Sequence, residues 1–427
     1  MKTLSLIACC SFVALFSGLG CSQNNDLTGW AEQAVSTDST VAQKAQEQLR
    51  AAGPQGLLAL QQLFAKEIAA HQNGAVTDAR WKRIGAALDR VGGQYDNYAS
   101  GLYWYTDLEK AREAAKASGR AILSLRLLGR LDEDLSCANS RFFRTTLYPS
   151  AEINQLLKDR FVLHWESVRP APKVTIDFGD GRKLVRTITG NSIHYILDAD
   201  GTIVDALPGL YSAHVFASEL RQAADVVKAA LATGSHDYSA HLRSTRSRLL
   251  QAWVGDLKAI NVSVSGSQEL TEGDLNQLMT DERWQQVAEL PANSAWFDPA
   301  VGKLIAQKVR LSQPGEDQPA KGKAAGGRKF PSAAKAAPLA VSKGMVETPM
   351  MREMRNLAEN VALDTVRNNY MLRTKILVFL ADRSSMPLAR FNDWVYTAVF
   401  LTPGEDPWLG LAPPDVFSAI DANGESR

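Results

Sequence analysis

Cys137, in the segment Cys137-Ala138-Asn139-Ser140, is the residue whose type and placement could do chemistry. It follows an apolar run, Ala121 to Leu128, and an acidic turn, and it stands where a helix begins before a second apolar strand at Phe161. Peptide N–H groups at a helix start stabilise a thiolate and pull a cysteine below its free pKa of about 8.5. Arg141 lies one turn further on, with Arg130 and Arg144 near in sequence, whereas Asp132, Glu133 and Asp134 closely precede the sulfur and oppose the thiolate. The sequence leaves the sign of that balance open. A buried, inert cysteine that packs as a small hydrophobe is the more common case. A reactive Cys137 would attack a disulfide and form a mixed disulfide that an external thiol must release. The Ser140 hydroxyl reads equally as a donor to such a thiolate and as a polar first-turn residue.

Other candidate residues carry less. The acidic trio could attract a cation, but no EF-hand spacing follows and it reads as a solvated loop. Trp394, Tyr396 and Trp408 could line a ligand surface, with core packing the stronger reading. The chain has no Walker A loop, Gly-x-Gly-x-x-Gly, Gly-x-Ser-x-Gly, His-Glu-x-x-His or Cys-x-x-Cys-His segment. No cofactor and no metal are implied. A formal net charge of +1 argues against nucleic acid as the main partner.

The elements that must position Cys137 follow from periodicity. Residues 21–100 read as a helical N-terminal segment: Val41 to Leu49, a Gly53-Pro54 turn, Leu57 to Phe64, and Ala79 to Val91. From Leu102 the pattern alternates. A short strand to Tyr105 precedes a helix N-capped by Asp107 and running to Lys116. The continuous run Ala121 to Leu128 reads as a buried central strand. A helix over Ala151 to Lys158 and a strand over Phe161 to Trp165 follow. Gly179-Asp180-Gly181 joins Val174–Phe178 to Lys183–Ile188 as a hairpin, and Asp198-Ala199-Asp200-Gly201 joins Ile193–Leu197 to Ile203–Ala206. A helix over Ala213 to Leu231 closes the unit. Beyond it lie a helical region over 236–311, a Pro/Gly/Ala/Lys-rich linker over 312–343, and a helical C-terminal region over 344–427.

The element order over 101–235 resembles the thioredoxin fold. Three pieces carry the resemblance: Asp107-Leu108-Glu109-Lys110-Ala111 leading to Gly119-Arg120-Ala121-Ile122-Leu123, the strand-loop-cysteine-helix unit, and Ile193-His194-Tyr195-Ile196-Leu197-Asp198-Ala199-Asp200-Gly201. The fold class the resemblance implies is an α/β thioredoxin-like domain flanked by α-helical N- and C-terminal regions. Against the family's Cys-x-x-Cys, Cys137 matches the attacking cysteine and Ser140 replaces the resolving one. The cis-proline position falls on Ser192. The resemblance implies that the Ser192 loop approaches Cys137, with His194 near enough to act as a base or, more simply, as a core histidine like His164.

At the N-terminus, Lys2 precedes an apolar run from Leu4 to Leu19, which reads as an export signal over 1–20. Gly18-Leu19-Gly20-Cys21 resembles the lipobox of bacterial lipoproteins, in which the cysteine is acylated and becomes the mature N-terminus. That family usually has Leu where Gly18 stands. The resemblance implies membrane lipid as a partner through Cys21, and Ser22 permits a periplasm-facing outer-membrane location in the cell envelope. Cys9 and Cys10 would leave with the signal, so Cys137 would be the one free thiol. The expectation is a lipid-anchored envelope protein that mainly binds or scaffolds other envelope proteins. The alternative is a monothiol exchange enzyme, with a thiol client, working through Cys137.

Overall fold

The structure is a computed structural model describing residues 26–74, 77–187, 190–264, 270–295, 356–383 and 386–404. The export signal, Cys21 and Ser22, the helix expected over Ala300 to Val309, the 312–343 linker and Trp408 lie outside the described residues. The chain divides into two compact units, Met1–Tyr103 and Trp104–Arg427. Among the described residues no helix is long and apolar enough to cross a membrane.

The first unit is helical, with helices at Ser39–Ala51, Pro54–Leu63, Ala65–Gln72 and Ala79–Gly92. The Asp38 carboxylate accepts from the Thr40 and Val41 amides and starts the first of these. Gly53, at φ +68°, turns the chain, and Pro54 occupies the first position of the next helix, where its missing N–H costs nothing. Leu49, Leu57, Leu60, Ile84, Leu88 and Val91 form the core. A Cβ on Gly56 would lie 2.0 Å from the Leu49 carbonyl oxygen, so only glycine lets these two helices touch. The Ala65–Gln72 helix was not expected from the sequence pattern.

The second unit is mixed α/β. Its five-stranded sheet has the order β1-β3-β2-β6-β7, built from β1 (Trp104–Tyr105), β2 (Ala121–Leu128), β3 (Phe161–Arg169), β6 (Ser192–Leu197) and β7 (Ile203–Pro208). β1, β3 and β2 run parallel, while β6 is antiparallel to both β2 and β7. All eight residues of β2 are buried, which is why the strand reads as a continuous apolar run. Its one charged residue, Arg126, pairs with Glu166 directly opposite on β3. β4 (Lys173–Asp177) and β5 (Lys183–Thr187) form a separate antiparallel hairpin between β3 and β6 in sequence. Asp107 caps the Leu108–Ser118 helix through the Glu109 and Lys110 amides.

β7 ends the sheet order, yet all six of its residues are buried. The Ser239–Ala259 helix and a π-helical turn at Asn368–Arg373 pack on it. They cover an edge that would otherwise be open to further strand pairing. Side-chain alternation divides β6. Ser192 and His194 face the Ala213–Thr233 helix, where His194 meets Phe216 edge-on at 5.0 Å, while Tyr195 meets Phe391 of the Leu388–Trp394 helix at 5.8 Å.

Candidate thiol site and a buried ion cluster

Cys137 is the N-cap of a five-residue helix, Ala138–Phe142, continued by a π-helical turn at Phe143–Leu147. Its Sγ accepts from the Ser140 amide at 3.4 Å, and its own amide donates to the Leu128 carbonyl at the end of β2. The side chain is fully buried. Burial pushes the thiol up, and the hydrogen bond from the Ser140 amide only partly offsets it. Arg130 and Arg144 are occupied by the acidic loop. Arg130 holds Asp132 through two bonds of 2.9 and 2.7 Å and reaches Glu133. Arg144, buried, donates to the carbonyls of Glu133 and Asp134. The acidic trio is therefore a loop clamped by arginines, and no cluster of metal-ligating side chains occurs among the described residues.

The Ser140 hydroxyl lies within hydrogen-bonding distance of Ser136 Oγ and the Cys137 carbonyl oxygen. Ser192, fully buried, comes to the same helix: Asn139 Nδ2 donates to its Oγ at 2.9 Å. Thr187 Oγ1, at the end of β5, donates to the Ser136 carbonyl at 3.0 Å. A Cβ on Gly190 would sit 2.7 Å from Asn139 Oδ1, so Gly190 is pressed against the cysteine helix. Cys137, Ser140 and Ser192 thus belong to one buried cluster. Asn139, which makes the link to Ser192, was missed because a polar residue in a first helical turn ordinarily faces water.

The histidines are not poised for proton transfer. Burial brings His194 down to about 3, and its Nε2 is 2.8 Å from the Tyr148 hydroxyl, whose own pKa burial pushes well up. His164 is lowered to about 3 by burial and then by Arg126, and its Nδ1 lies 2.9 Å from Ser124 Oγ. Both are neutral core residues near neutral pH. Trp394, half-buried, stacks on the half-buried Phe379 at 3.8 Å, while Tyr396 is a core residue whose hydroxyl donates to the Asn191 carbonyl at 3.2 Å.

A second cluster, of acidic and basic side chains, lies at β7. Arg373, with no exposure, donates to Asp205 Oδ2 at 2.9 Å and approaches Glu219 at 3.0 Å. His241 reaches Asp205 at 3.1 Å, and Arg248 reaches Glu219 at 2.7 Å. Burial would raise the Asp205 carboxyl, but Arg373 and His241 outweigh it and hold the group at about 2. The sequence carried one overlooked signal, a lone arginine between Tyr370 and the apolar run Ile376-Leu377-Val378-Phe379-Leu380. An open cavity of about 560 Å³ lies apart from Cys137, lined by Asp200, Thr202, His236, Asp237 and Leu388 among others. No protein-family model, curated protein or solved structure matches this chain.

Proposed function

We propose that the chain is a lipid-anchored envelope protein whose second unit holds a thioredoxin-like domain used to bind or scaffold other envelope proteins, not to exchange disulfides. The carrying observation is the state of Cys137: fully buried, with a thiol pushed up by burial, and with serine at the resolving position. The thioredoxin-like reading is supported by the strand order β1-β3-β2-β6-β7, by the cysteine at the helix after β2, and by Ser192 meeting that helix through Asn139. The anchor reading rests on Gly18-Leu19-Gly20-Cys21.

The alternative, monothiol exchange, draws on the Ser140 amide pointed at Sγ. In that reaction the Cys137 thiolate attacks one sulfur of a client disulfide, forming a new S–S bond as the other client sulfur leaves as thiolate. A second, external thiol then releases the enzyme. A direct test compares disulfide exchange by the native chain with that by Cys137→Ser. Equal background rates are expected, and exchange that vanishes in the variant would overturn the binding reading. Mass spectrometry of the mature N-terminus tests the anchor: an acylated Cys21 is expected, and an unacylated one refutes it.

A further inference from the structure

The β4–β5 hairpin presents an apolar face to solvent. Facing residues in an antiparallel pair share a side, so Val174 with Arg186 and Ile176 with Leu184 lie on one face. Phe178 extends that row beside Arg182, whose guanidinium sits 5.2 Å from the ring centre. Exposure rises along the row toward the turn, from 37% at Val174 to 47% at Ile176 and 54% at Phe178. Asp177 and Lys183 pair with each other on the opposite face, at 3.2 Å. Asp180, in the turn, is bonded to Arg182. A two-stranded hairpin alone in water is marginal and gains from anything that covers its apolar side.

We propose that this face docks on an anionic lipid surface. Val174, Ile176, Phe178 and Leu184 would enter the boundary between headgroups and acyl chains, while Arg182 and Arg186 meet lipid phosphates. The charge pattern favours that occupant. Lys173, Arg182, Lys183 and Arg186 stand against Asp177 and Asp180, and both charged residues on the apolar face are arginines. Arg186 forms no ion pair among the described residues, and its Nη1 donates to the neighbouring Val185 carbonyl. This deepens the anchored reading and rests on it for the nearness of a bilayer, while the contact itself is made by the hairpin.

The test is hydrogen exchange on the full chain, with preformed vesicles of phosphatidylglycerol and phosphatidylethanolamine or of phosphatidylcholine alone. Amides of residues 173–187 should exchange several-fold more slowly with the anionic vesicles only. Phe178→Ser with Ile176→Ser should remove that protection, and Arg182→Glu with Arg186→Glu should remove the anionic preference. Thr175→Ala, on the other face, should leave both intact, and unchanged protection of β2 shows that each variant is folded. An acylated chain whose hairpin stays unprotected overturns the docking and spares the anchor. A protected hairpin on an unacylated chain supports the docking and sinks the anchor. Protection that appears in concentrated protein without vesicles overturns the lipid assignment in favour of a second copy of the chain.

Discussion

Two buried polar clusters bear on the same strand pair, β6–β7, and they differ in charge. Around Cys137 the groups are a thiol, Ser136, Ser140, Asn139 and Ser192, with the neutral His194 and Tyr148 on the same face of β6. Around Arg373 they are two carboxylates, two guanidiniums and a histidine. Chemistry at neutral pH needs groups tuned toward the working pH, and the neutral cluster is tuned away from it. The charged cluster binds the C-terminal helices to the edge of the sheet. In the proposed binding role the residues able to react serve as packing, and the strongest electrostatics join distant segments around β7.

Breaking the charged cluster should have the largest effect. Arg373→Met leaves Asp205 and Glu219 buried without their shared cation and should cost about 3–5 kcal/mol in urea denaturation. A loss below about 1 kcal/mol would show that the cluster is not what holds the edge closed. Asp205 itself, held at about 2, adds stability that is present above its unfolded pKa of about 4 and is lost as pH falls from there to about 2.

The neutral cluster has its own pH signature. His164 and His194 are lowered to about 3 from an ordinary value near 6.5, so the unfolded chain binds their protons first as pH falls. Stability from this source is complete above about 6.5 and declines toward pH 3, by up to about 1.4 kcal/mol per pH unit for each histidine. His194→Gln should flatten the slope of unfolding free energy between pH 6.5 and 5, and an unchanged slope would contradict a neutral buried imidazole.

Smaller effects sharpen the picture of the thiol site. Gly190→Ala places a methyl against Asn139 and should cost about 1–3 kcal/mol while loosening the cysteine helix. Tyr396→Phe removes one hydrogen bond to the Asn191 carbonyl and should cost about 1 kcal/mol, read as a small shift in the urea midpoint.

Much of the fold was legible because its elements carry strong local signals. β2 spans the residues its apolar run marks, and the β4–β5 hairpin forms around Gly179-Asp180-Gly181. The helix Ala65–Gln72 was hidden because it follows Phe64 with hardly a break and buries little besides His71. The π-helical turns at Phe143, Asn368 and Val395 insert an extra residue into a turn, which blurs helical periodicity. Cys137 could be singled out by type and position, and Ser192 only through the resemblance to the thioredoxin fold. Their link through Asn139, and the cover that Arg373 and its partners give β7, depend on contacts between distant segments that no local pattern encodes.

Whether Cys137 is inert is decided by the rate of its alkylation in the native protein as a function of pH. A buried thiol pushed up by its surroundings should label slowly, with an apparent pKa above the free value of about 8.5, and should label fast only after denaturant unfolds the chain. Rapid native labelling with an apparent pKa below about 7 would contradict it and restore the reactive thiol.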